Sequence, residues 1–107
     1  MTQEEILDYN KLCAEFLNLH RDEEVAIYKF NAYPYEYLRF NSDWNWIHEV
    51  VEAIENKGYD VFINGLYCRI TDSGMTDFEI ESGAATTKQE AVVQAINQFL
   101  IWYNENN

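Results

Sequence analysis

Residues 59–70 read YDVFINGLYCRI, and this stretch decides the fold. Asn64-Gly65 is the strongest two-residue hairpin signal, because a type I′ turn needs positive φ at both central positions. Taken as that turn, it sets Ile63 opposite Leu66, Phe62 opposite Tyr67, Val61 opposite Cys68 and Asp60 opposite Arg69. Tyr59, Val61, Ile63, Leu66, Cys68 and Ile70 then share one apolar face. The other face carries Phe62, Tyr67 and an Asp60–Arg69 charge pair. Pairs matched in character on both faces are what a hairpin buried on one side requires.

Working outward, Asp72-Ser73-Gly74 turns the chain into a third strand, Asp77–Ser82, with Phe78 and Ile80 inward. Upstream, Ser42 reads as the N-cap of a helix, and Asp43 sits in its first turn. Trp44, Ile47, Val51 and Ile54 form its stripe, widened by Trp46, Val50 and Ala53. Lys57-Gly58 ends it with a cation and a left-handed glycine. Downstream, Thr87 and Glu90 have the spacing of a capping box that opens a helix over Lys88–Asn104. Its apolar face is Val92, Ala95, Ile96, Phe99 and Tyr103, with Ala91 and Trp102 alongside. A second capping box, Thr2 and Glu5, opens a first helix reaching about His20. Ile6, Tyr9, Leu12, Cys13, Phe16 and Leu17 give that helix its buried stripe. Between the first two helices, Val25–Phe30 suits a short strand, and Pro34 makes Tyr33–Phe40 irregular.

The fold class is α+β, in the order α, irregular segment or short strand, then α-β-β-β-α. The strands predict a three-stranded antiparallel meander with helices packed on it. The first helix is expected on the far face or edge of the sheet, where Phe62 and Tyr67 offer apolar surface, giving a three-layer αβα sandwich. At 107 residues the chain is one domain, 1–107, with 48% apolar residues and 17 aromatics to fill a core.

Nineteen acidic residues against seven basic ones give a net charge of −12. That balance argues against direct nucleic-acid binding, which draws its affinity from Lys and Arg on phosphates. An α-β-β-β-α order is also that of double-stranded-RNA-binding domains, but here Lys88 is the one cation opening the last helix. No run of 18 apolar residues exists, so no membrane span is expected. The N-terminus, acidic and helical, does not read as a targeting peptide. Cys13 and Cys68 read as reduced, buried thiols, which with the missing export signal predicts a cytoplasmic protein.

Two segments carry a family resemblance. Ser42-Asp43-Trp44-Asn45-Trp46 leads into Val50-Val51-Glu52-Ala53-Ile54-Glu55, and Lys88-Gln89-Glu90-Ala91-Val92 runs on to Phe99-Leu100-Ile101-Trp102-Tyr103-Asn104. With the hairpin between them, they resemble the phage ABA sandwich domain of small proteins from bacteriophages and Bacteroides-type mobile elements. The resemblance covers residues 41–104. It implies an αβα sandwich and a phage or mobile-element origin in a bacterial host, and it implies no activity, cofactor or catalytic residue.

Four constellations offer candidate sites. Asp77, Glu79 and Glu81 line one strand face about 6.6–6.8 Å apart, as an acidic surface that holds a cation or imitates nucleic-acid backbone charge, or as a solvated strand that resists edge pairing. Glu49, Glu52 and Glu55 read as the wet side of a helix. His20 or His48 with a thiol would make a nucleophile–base pair, but both cysteines fall on core faces. The densest feature is aromatic: eight of the 17 rings lie within Tyr28–Trp46. Tyr33, Tyr35 and Tyr37 would share a side if extended, either as anchors for a partner or as a roof on the core.

No catalytic motif is present, so no enzyme activity, catalytic residue, cofactor or metal is expected. The leading expectation is a non-enzymatic protein–protein interaction module that binds a protein partner or itself, through Tyr33, Tyr35 and Tyr37. The alternative is an acidic nucleic-acid mimic acting on a host defence or regulatory protein, and the third is an enzyme of unknown reaction.

Overall fold

A computed structural model describes residues 1–20, 38–72 and 78–106. Strands β1 (Tyr59–Asn64) and β2 (Tyr67–Asp72) form the expected antiparallel hairpin. Strand β3 (Glu79–Glu81) pairs antiparallel with the other edge of β2, so the sheet order is β1-β2-β3. Ser82 prolongs that pairing: its N–H donates to the Cys68 carbonyl at 2.8 Å, and its Oγ accepts from the Cys68 N–H at 3.0 Å.

The hairpin register differs from the sequence expectation. Asn64 faces Tyr67, Ile63 faces Cys68, Val61 faces Ile70, Phe62 faces Arg69 and Asp60 faces Thr71. The central turn residues are therefore Gly65 and Leu66. Gly65 has φ +59°, and no non-glycine residue among those described has positive φ. Glycine in the first central position is the type II′ arrangement, which needs one left-handed residue where type I′ needs two. Relative to the expected register each partner moves by two residues. Side chains alternate with a period of two, so the faces survive the slip. Tyr59, Val61, Ile63, Cys68 and Ile70 still point to the core side, while Leu66 leaves that face for the turn.

Three helices complete the described chain: α1 (Gln3–His20), α2 (Trp44–Asn56) and α3 (Lys88–Asn106). The capping box of α1 is reciprocal. Thr2 N–H donates to Glu5 Oε1 at 2.9 Å, and Glu5 N–H donates to Thr2 Oγ1 at 3.2 Å. At α2 the cap is Asp43, not Ser42: Asp43 has extended backbone angles and its carboxylate accepts from Asn45 N–H at 2.9 Å. Gly58, at φ +98°, follows the Lys57 C-cap as expected. At α3 the box is split. Thr87 Oγ1 accepts from Glu90 N–H at 3.0 Å, but the Glu90 carboxylate turns to the hydroxyl and N–H of Thr86.

Helices α2 and α3 cover the core side of the sheet, α2 over β1 and α3 mainly over β2. Helix α1 packs on α2 and α3 and meets no described strand. The layers run sheet, helix pair, single helix, which corrects the expected placement of the first helix on the far side of the sheet. The physical reason lies in α3. Ala91, Val92, Val93, Ala95, Ile96, Phe99 and Leu100 are all buried, so this helix is apolar on two sides and needs cover on both. Phe16 supplies part of it, edge-on to Phe99 (6.2 Å between centroids) and to Tyr103 (5.4 Å). Covering the far sheet face instead would bury Arg69 and several carboxylates, at a desolvation cost no apolar stripe offsets.

The chain entering α2 is tied to α1. Tyr9 Oη donates to the Phe40 carbonyl at 3.0 Å, and Asn10 Nδ2 donates to the Leu38 carbonyl at 3.1 Å. Tyr9 and Phe40 are fully buried, and Phe40 packs edge-on against Trp46 at 5.0 Å. Phe40 therefore belongs to the core. The possible strand at Val25–Phe30 lies outside the described residues.

Candidate functional site

The layer order leaves the outer face of the sheet without a helix over it among the described residues. Two rows of side chains cross it. Phe62, Arg69 and Glu81 are in register in one row, and Asp60, Thr71 and Glu79 in the other. Tyr67 extends the face toward the turn. An antiparallel sheet tolerates such exposure when its outer positions are polar. Here they are not all polar: Phe62 is 49% exposed, and Leu66 in the adjoining turn is 55% exposed.

The charges on this face are arranged around Arg69. Its guanidinium reaches Glu79 at 3.5 Å and lies 5.4 Å from the Phe62 ring centroid. The one described cation of the face is therefore engaged within it, by an ion pair and a cation–π contact. Tyr67 hydrogen-bonds to the Glu81 carboxylate; partial burial and that bond push the phenol above its ordinary range. Three carboxylates, Asp60, Glu79 and Glu81, stand against one guanidinium, leaving the face net acidic.

The sequence singled out Glu79 and Glu81, and both are exposed on this face. Their companion Asp77 lies outside the described residues, as do Tyr33, Tyr35 and Tyr37. In the sequence, Phe62, Tyr67 and Arg69 mark the hairpin and not a site. The signal available for them was their shared parity with the outward carboxylates.

Elsewhere among the described residues, chemistry-bearing groups do not assemble. Cys13 and Cys68 are free and buried, and burial pushes both thiols up, Cys68 to about 11. A nucleophilic cysteine needs the opposite shift. His48 is exposed and stacks on Trp44 with centroids 5.5 Å apart. The two rings line an open depression of about 720 Å³ with Ile63, Thr87, Lys88 and Gln89. Among the described residues no three His, Cys, Asp or Glu side chains are grouped to hold a metal ion, and no helix is long and apolar enough to cross a membrane. Comparison with protein families, curated proteins and solved structures finds no match.

Proposed function

We propose that this protein is a non-enzymatic protein–protein interaction module whose contact surface is the outer face of the sheet. The observation that carries the reading is the uncovered Phe62, set among charged residues on a rigid three-stranded platform with the exposed Leu66 beside it. A half-exposed ring on a regular element is a preorganised anchor, since little conformational freedom is lost when a partner covers it. The resemblance to small phage and mobile-element proteins adds a setting: the cytoplasm of a bacterial host.

The charge distribution favours this reading over a nucleic-acid mimic. Mimicry needs carboxylates merged on one surface. Glu4, Glu5, Asp8 and Glu15 are exposed on α1, whereas Asp60, Glu79 and Glu81 belong to the outer side of the sheet, with the α2–α3 layer between. Two acidic surfaces facing apart do not imitate one phosphate backbone.

The test is quantitative capture from a host lysate with wild-type protein and with the Phe62→Ser variant. A partner held by the wild type and lost by the variant supports the reading. Equal capture by both would refute it.

A further inference from the structure

We propose that the occupant of the outer sheet face is a cationic, partly apolar extended segment of a different polypeptide. Its Lys or Arg side chains would oppose Asp60, Glu79 and Glu81, and an apolar side chain would cover Phe62. This inference rests on the reading of the face as a contact surface and specifies what it contacts.

Three features of the face select that chemistry. The first is charge. Arg69 is already paired with Glu79 and placed over Phe62, so an incoming group meets a net excess of carboxylate. Glu79 and Glu81, alternate residues of one strand, lie within about one Debye length of each other at physiological salt, so they act on a partner together. The second is spacing. Glu79 and Glu81 are alternate residues of one strand, about 6.8 Å apart, and alternate side chains of an extended partner repeat at the same interval. A helix would bring cations into register only at i, i+3 and i, i+4, nearer 5–6 Å. The third is the apolar anchor. Phe62, on β1, shares a row with Arg69 and Glu81, so an apolar side chain of a segment lying along the strands covers the ring while its cations oppose Glu79 and Glu81.

A second copy of this chain fits the face less well. Apposing two such faces would bring three carboxylates against three, with each guanidinium already engaged in its own subunit. Like charges in register oppose association.

The probe is a short synthetic peptide in which lysine, lysine and valine occupy alternate positions separated by serines, so that all three share one face when extended; it is titrated by fluorescence anisotropy against the full chain. Three variants accompany the wild type, each checked for an unchanged circular dichroism spectrum. Glu79→Gln with Glu81→Gln is expected to weaken binding about tenfold at low salt, because close opposed charges carry most of such an attraction. Phe62→Ser is expected to weaken it several-fold. Glu52→Gln with Glu55→Gln removes the same charge from the exposed side of α2 and is expected to change affinity less than about twofold, within what longer-range screened charge contributes. Equal losses from the two double variants would overturn the proposal, since the peptide would then be sensing net charge alone. Sedimentation showing self-association that Phe62→Ser abolishes would also overturn it, in favour of a second copy. If Phe62→Ser removes a captured protein partner while the Glu79/Glu81 variant retains it, the contact surface stands and the cationic occupant fails. If neither variant affects peptide or partner, both readings fail.

Discussion

Arg69 and Phe62 face each other across β1 and β2, with the guanidinium carbon 5.4 Å from the ring centroid. This pairing exists because the turn is centred on Gly65 and Leu66. Centred on Asn64 and Gly65, it would have given Arg69 to Asp60 and left Phe62 opposite Tyr67. The turn type therefore decides which charges remain unpaired on the outer face.

The turn itself is open to test by denaturant unfolding. Gly65 has φ +59° and no heavy atom near an added Cβ, so Gly65→Ala introduces backbone strain alone. It is expected to lower stability by about 1–2 kcal/mol. Asn64 is an ordinary strand residue, and Asn64→Ala is expected to stay within about 0.5 kcal/mol. Equal losses at both positions would indicate a turn centred on Asn64-Gly65.

The layer order predicts a contrast between two phenylalanines. Phe16 is 2% exposed and packs edge-on to Phe99 and Tyr103, so Phe16→Ala is expected to destabilise by about 3–5 kcal/mol. Phe62→Ala removes a half-exposed ring and one exposed cation–π contact, a loss of about 1 kcal/mol or less. Urea midpoints measure both. A large loss at Phe62 would mean that this ring is covered.

Most of this architecture is legible in the sequence. The capping spacing at Thr2 and Glu5, the Lys57-Gly58 ending and the alternation through β1 and β2 each reflect a local rule acting without competition. The register is not legible from alternation, because a two-residue slip preserves both faces and every inside–outside pattern agrees with either turn. The position of α1 was hidden for a different reason. Its stripe has two apolar surfaces to choose from, and the choice depends on counting both sides. Val93 and Leu100, seven apart on the last helix, mark the second apolar side of α3. The outer sheet face offers Phe62 and Tyr67 among charges. Of the candidate site, Glu79 and Glu81 were visible as alternating carboxylates. The roles of Phe62 and Arg69 depend on the register and on an open face, neither of which a single strand encodes.

Burial of the thiols predicts both reactivity and pH dependence. Native protein at pH 8 is expected to resist a thiol reagent that labels both cysteines in urea. Folding raises the Cys68 pKa from 9.0 to about 11, so the neutral thiol is favoured in the native state. The unfolded chain therefore loses this proton first. The associated stability is complete below pH 9 and is lost as pH rises toward 11, by an amount on the order of 2 kcal/mol. Cys13 and Tyr9, both raised by burial, act in the same direction at higher pH. Denaturant midpoints from pH 8 to 11 measure the slope, and a flat profile would contradict the buried, protonated thiols.

At the acid end, two capping carboxylates are expected to titrate low. Hydrogen bonds from the Thr2 backbone and hydroxyl hold Glu5 below 4.5, and those from the Thr86 hydroxyl and backbone do the same for Glu90. Their contribution is present above the unfolded value and is lost as pH falls through the folded one. Carboxyl resonances followed by NMR should show both groups titrating below the ordinary glutamate value of 4.5.

The outer face of the sheet as a binding surface for a cationic segment is tested most directly by mapping amide shifts in a two-dimensional NMR spectrum. The probe is the same lysine- and valine-bearing peptide, added stepwise to the labelled full chain. The predicted result is a saturable set of shifts centred on Asp60, Phe62, Arg69, Thr71, Glu79 and Glu81, with the exposed residues of α1 unmoved. Shifts centred on Glu4, Glu5, Asp8 and Glu15, or spread evenly over every acidic surface, would contradict it.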